Sequence, residues 1–377
     1  MTITKVTDAG LDKSRIVTPL IINGDMSVAQ RATSTTGIGA DTGFFACDRW
    51  AYRKGGSPSF RATISQSTTV PTGQGFLTSL KVDCTTAQSS LSSGDRFGID
   101  QKIEAQNLVN LKQGTSSADK TTLSFWVRSN LTGQFNIWIY KPDGTARSFV
   151  KAYTISSADT WEKKIINIPA DTDSSGAVAN DTGEGWRVTW MLAAGSTFSS
   201  GSIATSWEDY NNANIGVSQT NFGSSTDNEF YLTGVQIEVG EFDANTIPSF
   251  PFESFENNLR KCQRYFENHT ASGSAQIAHA FGSSSARCYF QYRTKKRTAP
   301  TITLATAGNG DGQISFLTKG GAYVGTIGTH ESLNVAIDRF NLNVASGYSS
   351  TGWAEGDAIF FYVNGNNYVV WEADAEL

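Results

Sequence analysis

Three histidines, His269, His279 and His330, are the only imidazoles in this 377-residue chain. A hydrolytic triad would need one of them as a base beside a nucleophile. The nearest hydroxyl-rich run, Gly282-Ser283-Ser284-Ser285, lacks the G-x-S-x-G elbow and reads as a hairpin loop. Glycoside hydrolysis would instead need two carboxyls roughly 5 to 10 Å apart, one with a raised pKa. Asp95, Asp100, Glu104, Glu238 and Glu241 are the candidates, yet carboxylates in a strand-rich sequence more simply satisfy their cross-strand neighbours. No catalytic residue is therefore expected.

Metal chemistry is thinly supplied. Asp171-Thr172-Asp173-Ser174-Ser175-Gly176 spaces oxygen ligands before a glycine, like the start of a calcium loop, but Thr182 stands where the distal acid belongs. The expectation is no cofactor, with a structural Ca²⁺ on Asp171, Asp173 and Asp181 as the alternative. Cys47, Cys84, Cys262 and Cys288 stand too far apart for zinc spacing and read as buried thiols.

Binding chemistry is better represented. Sugars present apolar C–H faces and many hydroxyls, so their sites pair an aromatic plate with amide, carboxylate or guanidinium groups. One such cluster is Trp207, Tyr210 and Asn211; another is Tyr348, Trp353, Asn364, Asn366 and Tyr368. The competing reading of Tyr348 and Trp353 is burial in a core or a subunit seam.

The elements that must position these groups are strands. Charged residues make up only 17% of the chain and Gly, Ser, Thr and Asn are abundant, which suits short strands and turns better than helices. Period-2 alternation runs through FFACDRWAYRK, FLTSLKVDCTT, TLSFWVRSN, FNIWIYKPDG, RSFVKAYTI, WEKKIINIPA, GWRVTWMLAAG and FYLTGVQIEVG. It places Leu123, Phe125 and Val127 on one face, and Trp186, Val188 and Trp190 on another. The fold expected is all-β: an antiparallel jelly-roll β-sandwich, then a short helix, then a second, smaller β-sandwich. The helix is placed within FESFENNLRKCQRYFEN, with Phe255, Leu259, Cys262 and Phe266 as its stripe. The domains predicted are an extended arm over 1–30, the jelly roll over 31–243, linker and helix over 244–267, and a C-terminal β domain over 268–377. A net charge of -5 argues against a nucleic-acid partner. No apolar run is long enough to insert in a membrane and MTITKVTDAG lacks the order of a secretory signal, so synthesis in the cytoplasm is expected.

Five segments in order, LIINGDMSVAQR, CDRW, FYLTGVQIEVG, FPFESFENNLRKCQRYFE and RTAPTITL, resemble a family of bacteriophage tail fibre or receptor-binding virion proteins whose jelly-roll domain is like a carbohydrate-binding module. The resemblance covers nearly the whole chain, although the long shaft of an extended fibre is missing. It implies a homotrimer in the virion, made in the host cytoplasm. It also implies attachment to other tail or head proteins through an arm carrying Thr2, Ile3, Val6, Ile16, Val17 and Leu20. The C-terminal domain becomes the candidate tip, and a bacterial surface glycan or receptor the partner. A head decoration or tail adaptor is the second reading, and a glycan depolymerase spike the third. Within NGDMSVAQR, Asn23-Gly24 supplies a turn after which Met26, Val28 and Ala29 plug the first sandwich, with Arg31 and Asp48-Arg49 as polar partners.

Overall fold

Alternation decides the architecture. Leu123, Phe125 and Val127 are fully buried, while Trp126 and Arg128 on the opposite face are partly exposed; Trp186, Val188 and Trp190 are likewise fully buried. In the computed structural model, which describes residues 19–271, 276–282, 285–304, 314–318, 321–324, 330–344, 358–363 and 368–377, the chain is almost entirely β. It divides into two compact units, one through Asn258 and one over Leu259–Glu376.

The first unit contains β1 (Ser34–Ile38), β2 (Gly43–Phe44), β3 (Ala51–Gly55), β4 (Arg61–Ser67), β5 (Ser79–Thr86), β6 (Arg96–Glu104), β7 (Thr121–Ser129), β8 (Gly133–Lys141), β9 (Arg147–Ile155), β10 (Glu162–Ile168), β11 (Glu184–Ala194), α1 (Ser196–Ser199), β12 (Glu208–Asp209) and β13 (Glu229–Val239). Six strands form one sheet in the order β1-β4-β5-β13-β7-β10, and seven form the other in the order β12-β9-β8-β11-β6-β3-β2. Their inner faces share one core in which Trp50 meets Trp190 edge-on at 5.3 Å and Phe60 stacks on Phe97 at 4.1 Å. β1, β4, β6 and β12 have no counterpart among the eight alternating runs. β4 alternates over only two buried residues, Ala62 and Ile64, too short a run to stand out, and β6 is buried on both faces through much of its length, which blurs its period of two.

The N-terminal plug is built around Asn23, which is buried and has a positive φ of 58°. Its side-chain amide donates to the carbonyls of Val28 and Asp48, both at 2.9 Å, and its Oδ1 accepts from the Val28 N–H at 2.9 Å. Its carbonyl accepts from Trp50 Nε1 at 2.9 Å, and its N–H donates to Asn258 Oδ1 at 3.1 Å. Gly24 lies so close to β13 that a Cβ would sit 2.1 Å from the Val235 carbonyl oxygen. Four of the five segments quoted for the resemblance thus meet at one point. The arm predicted over 1–30 is corrected accordingly: Leu20, Ile21, Met26 and Val28 are buried in the first unit, because Asn23 ties them to it. Thr2, Ile3, Val6, Ile16 and Val17 lie outside the described residues. Around the plug, Asp48 accepts from the Gln30 N–H at 2.8 Å, and Arg49 donates to the Lys102 carbonyl at 2.7 Å. Arg31 lies over the Phe44 ring.

Part of the predicted linker packs into the first unit. Phe250 and Phe252 each lie 5.1 Å from the Phe76 ring, and Gln236 donates to the Pro248 carbonyl at 2.9 Å. The chain passes from one unit to the other within α2 (Phe255–Gln263). Only the later part of the expected stripe is buried: Cys262 lies in the core, Phe266 already belongs to the next strand, and Phe255 is 58% exposed.

The second unit comprises β14 (Phe266–Ala271), β15 (Gln276–Gly282), β16 (Ser285–Gln291), β17 (Thr301–Leu304), β18 (Ile314–Thr318), β19 (Gly321–Val324), β20 (His330–Val335), β21 (Arg339–Val344), β22 (Ala358–Val363) and β23 (Tyr368–Asp374). These pair as a three-stranded sheet, β14-β23-β17, and a seven-stranded sheet, β19-β18-β22-β15-β16-β21-β20. Trp371 of the small sheet packs against Phe340 and Phe290 of the large one, at 5.3 and 6.3 Å. Among the described residues, every strand pairing in either unit is antiparallel.

Candidate functional site

Since alternate residues of β3, β6, β11 and β8 fill the core, the residues between them must form the outer face of the seven-stranded sheet. Register places Thr189 between Asp100 and Trp138, and Arg187 between Lys102 and Tyr140. Gly98 sits opposite Arg53 on one side and Met191 on the other, leaving no side chain between those two. The result is a row of charges beside a patch of rings.

The charges interlock. Arg53 pairs with Asp100, Lys102 with Glu184 at 2.7 Å, and Arg187 with the same Glu184 at 2.6 Å. Except for Asp100, these side chains keep 14 to 20% of their surface exposed, so they line the face instead of lying beneath it. Burial would raise the Glu184 pKa, but Arg187 and Lys102 outweigh it and hold the carboxyl below its usual range. Burial lowers the Lys102 ammonium, with Arg187 and Arg53 adding to the effect against the pull of Glu184. Glu104, at the end of β6, accepts from Gln106 at 2.6 Å.

The rings come next. The Arg187 guanidinium lies 5.3 Å from the centre of Tyr140, which meets Tyr210 edge-on at 5.1 Å. Trp138 stacks on Tyr210 at 5.9 Å. Residues 195–217 fold back so that Phe198 and Ile215 cover Trp138, Val150 and Met191, while Tyr140 and Tyr210 stay partly exposed at the rim. Two partly exposed tyrosines beside an Arg–Glu–Lys row can take the C–H face of a sugar ring and donate to and accept from its hydroxyls.

Of the residues expected to bind glycan, Tyr210 lies at this rim, and Asn211 is exposed next to it, its Oδ1 accepting from the Ala213 N–H at 3.1 Å. Trp207 is a correction: it is only 6% exposed, packs on Phe149 and Trp186, and donates from Nε1 to the Pro169 carbonyl at 2.8 Å, so it cannot serve as a surface plate. Tyr368 begins β23, and Tyr348, Trp353, Asn364 and Asn366 lie outside the described residues. Arg53, Lys102, Tyr140, Glu184 and Arg187 were absent from the expectation, and Asp100 entered it only as a candidate carboxylate for hydrolysis. Alternation marks each as facing away from the core, but nothing local shows that β3, β6, β11 and β8 are neighbours.

The residues considered for Ca²⁺ do not fit the ion. Asp171 is buried and accepts from Lys141 Nζ at 2.5 Å, from Arg147 Nε at 2.8 Å and from Arg147 Nη2 at 3.1 Å. Its oxygens are taken by two cations that would repel a third. Asp173 caps a short turn through Ser175, and Asp181 accepts from the Gly183 N–H at 2.8 Å. Among the described residues, no group of three or more His, Cys, Asp or Glu side chains could hold a metal ion. The carboxylates considered for glycoside hydrolysis are engaged as well: Asp95 with Ser57, Ser92 and Gln88, Asp100 with Arg53, and Glu241 with Lys120. His269 stacks on Trp371, and burial, aided by Arg293, lowers its pKa.

No protein-family model matches the chain, and no curated protein matches it. Among solved structures it is similar to the enzymatically active domain of bacteriophage CBA120 tailspike protein 4, with 12% identity over 59% of this chain and a TM-score of 0.32. The match spans 21% of that tailspike chain. It is also similar to the family 11 carbohydrate-binding module from Clostridium thermocellum in complex with a β-1,3-1,4-mixed-linked tetrasaccharide (11% identity, 56% of this chain, 99% of that one, TM-score 0.28). A third is the CBM22-1 xylan-binding domain from Paenibacillus barcinonensis (9% identity, 58% and 92%, TM-score 0.27).

Proposed function

We propose that this chain is a non-enzymatic virion protein, a short tail fibre or fibre-like adhesin, that binds a bacterial surface glycan on the outer face of the seven-stranded sheet in its first unit. The observation that carries the binding is the juxtaposition of Tyr140 and Tyr210 with the Arg187–Glu184–Lys102 row. The virion setting and a homotrimeric assembly rest on the five ordered segments that resemble phage receptor-binding proteins. A purely structural place in the virion is the second reading, favoured by three large apolar side chains left in solvent: Leu77 at 81%, Phe252 at 52% and Phe255 at 58% exposure.

The test is saturable binding of the fluorescent full chain to candidate host cells, competed by purified surface polysaccharide. Tyr140→Ala is expected to weaken this binding about tenfold or more with an unchanged Tm, because the ring is at the rim and not in the core. Wild-type binding by a folded Tyr140→Ala protein would remove the sheet face as the site. Absence of cell binding, with retained binding to fibreless virions, would favour the structural reading.

A further inference from the structure

The outer face of the large sheet in the second unit carries polar side chains that the fold does not use. In β16, Cys288 and Phe290 are buried, so Tyr289 and Gln291 point the other way, and Tyr289 is 50% exposed. Register sets Asn341 of β21 opposite Tyr289, and Arg339 opposite Gln291. At the turn between β20 and β21, Asp338 and Arg339 keep 53% and 62% of their side-chain surface exposed. They approach each other only to 4.0 Å, too far for a hydrogen bond. Among the described residues, none hydrogen-bonds the Gln291 amide, the Asp338 carboxylate or the Arg339 guanidinium.

These groups frame a cleft of about 340 Å³ lined by Tyr289, Phe290, Gln291, Asp338 and Arg339. That volume falls within the roughly 300–1,000 Å³ of small-molecule sites. Its walls are fixed from behind: Phe290 stacks on Phe340 at 4.8 Å, and both rings pack against Trp371. The turn is pinned by its backbone. The Ala336 N–H donates to the Arg339 carbonyl at 2.8 Å, the Tyr292 N–H to that of Asp338 at 3.1 Å, and the Lys296 N–H to that of Ile337 at 2.7 Å. A ligand therefore meets a main chain already in place, and only side chains have to order around it.

We infer that this cleft is a second binding site, for one neutral sugar residue, whose C–H face lies on Tyr289 while its hydroxyls donate to Asp338 and accept from Arg339 and Gln291. Among the lining side chains one cation stands against one anion, so a charged ligand would be drawn by one and repelled by the other. An apolar ligand would desolvate three polar groups without replacing their partners in water. Hydroxyls both donate and accept, and so serve the carboxylate, the guanidinium and the amide together. The site lies wholly in the second unit and does not depend on the sheet-face reading of the first; either can fail alone.

The experiment is saturation-transfer NMR on the full chain with the methyl glycosides of glucose, galactose, mannose, rhamnose and N-acetylglucosamine, and with methyl glucuronoside as the acidic comparison. Wild type, Tyr140→Ala and the double variant Tyr140→Ala with Tyr289→Ala are compared, so that the first unit's face does not mask the second's. At least one neutral glycoside is expected to receive saturation from Tyr140→Ala protein, and its affinity is expected to fall about tenfold or more in the double variant at unchanged Tm. A folded double variant that binds as Tyr140→Ala does overturns the inference. Transfer seen in wild type and absent from Tyr140→Ala also overturns it, and assigns the sugar to the first unit. Tighter binding of the glucuronoside than of every neutral glycoside overturns the neutral class. If the double variant does not fold, Arg339→Gln in the Tyr140→Ala chain, a change at an exposed turn, decides in the same way. No transfer to any neutral glycoside overturns the inference, and the host-cell assay then judges the sheet-face reading separately.

Discussion

At the scale of single residues, the plug around Asn23 concentrates more consequence than any other position. One side chain satisfies the Val28 N–H and the carbonyls of Val28 and Asp48, and its own backbone serves Trp50 and Asn258. Asn23→Ala strands several buried polar groups and is expected to cost about 3 kcal/mol in urea unfolding. Gly24→Ala should cost about 2–4 kcal/mol, because the added methyl runs into the backbone of β13 and not into a side chain that could turn away. Glu184 gives a pH signature. Its folded carboxyl titrates below the ordinary 4.5, so its contribution is full above the unfolded carboxyl's pKa and is lost as the pH falls through the folded one. The Tm advantage of wild type over Glu184→Gln should hold at neutral pH and shrink from about pH 4.5 downward. An advantage of the same size at pH 3 and pH 7 would show that the ion pairs contribute nothing.

At the scale of elements, the Asp171 clasp shows how a loop is held on a sheet. Lys141 at the end of β8 and Arg147 at the start of β9 both reach Asp171, and the Lys141 ammonium also lies 4.9 Å from the Trp207 ring. Asp171→Asn leaves two buried cations facing a neutral amide and is expected to cost about 3–5 kcal/mol, whereas Lys141→Met leaves Arg147 on the carboxylate and should cost less than half of that. Calcium or a chelator should leave Tm unmoved; a rise on adding calcium would mean that an ion does bind the folded chain. The contrast between Asp171 and Trp207 in sequence and in the fold explains what was legible. Turn chemistry at Asn23-Gly24 and alternation at Leu123, Phe125 and Val127 depend on near neighbours, and both could be read directly. Trp207 stands among polar residues, yet it is buried because Phe149 and Trp186 come to it from distant strands. The sheet-face residues Arg53, Lys102, Tyr140 and Arg187 were hidden for the same reason: only strand order makes them neighbours.

At the scale of the whole molecule, the proposed homotrimer makes a plain prediction. Sedimentation equilibrium at micromolar concentration is expected to give three times the 40.6 kDa chain mass, and Leu77→Glu with Phe252→Ser should shift it toward monomer if those side chains lie in the seam. A monomer for the wild type would count against the trimer without touching the sheet face. The four cysteines, none in a disulfide and all buried, carry a different consequence. Burial pushes the Cys84 thiol up to about 11 and the Cys288 thiol up to about 12, and holds Cys47 higher still, so at neutral pH these groups stay protonated and poorly reactive. Two of them, Cys47 and Cys84, belong to the first unit, and Cys262 and Cys288 to the second. A thiol-specific reagent followed by peptide mapping therefore times the opening of each unit separately, with labels the chain already contains.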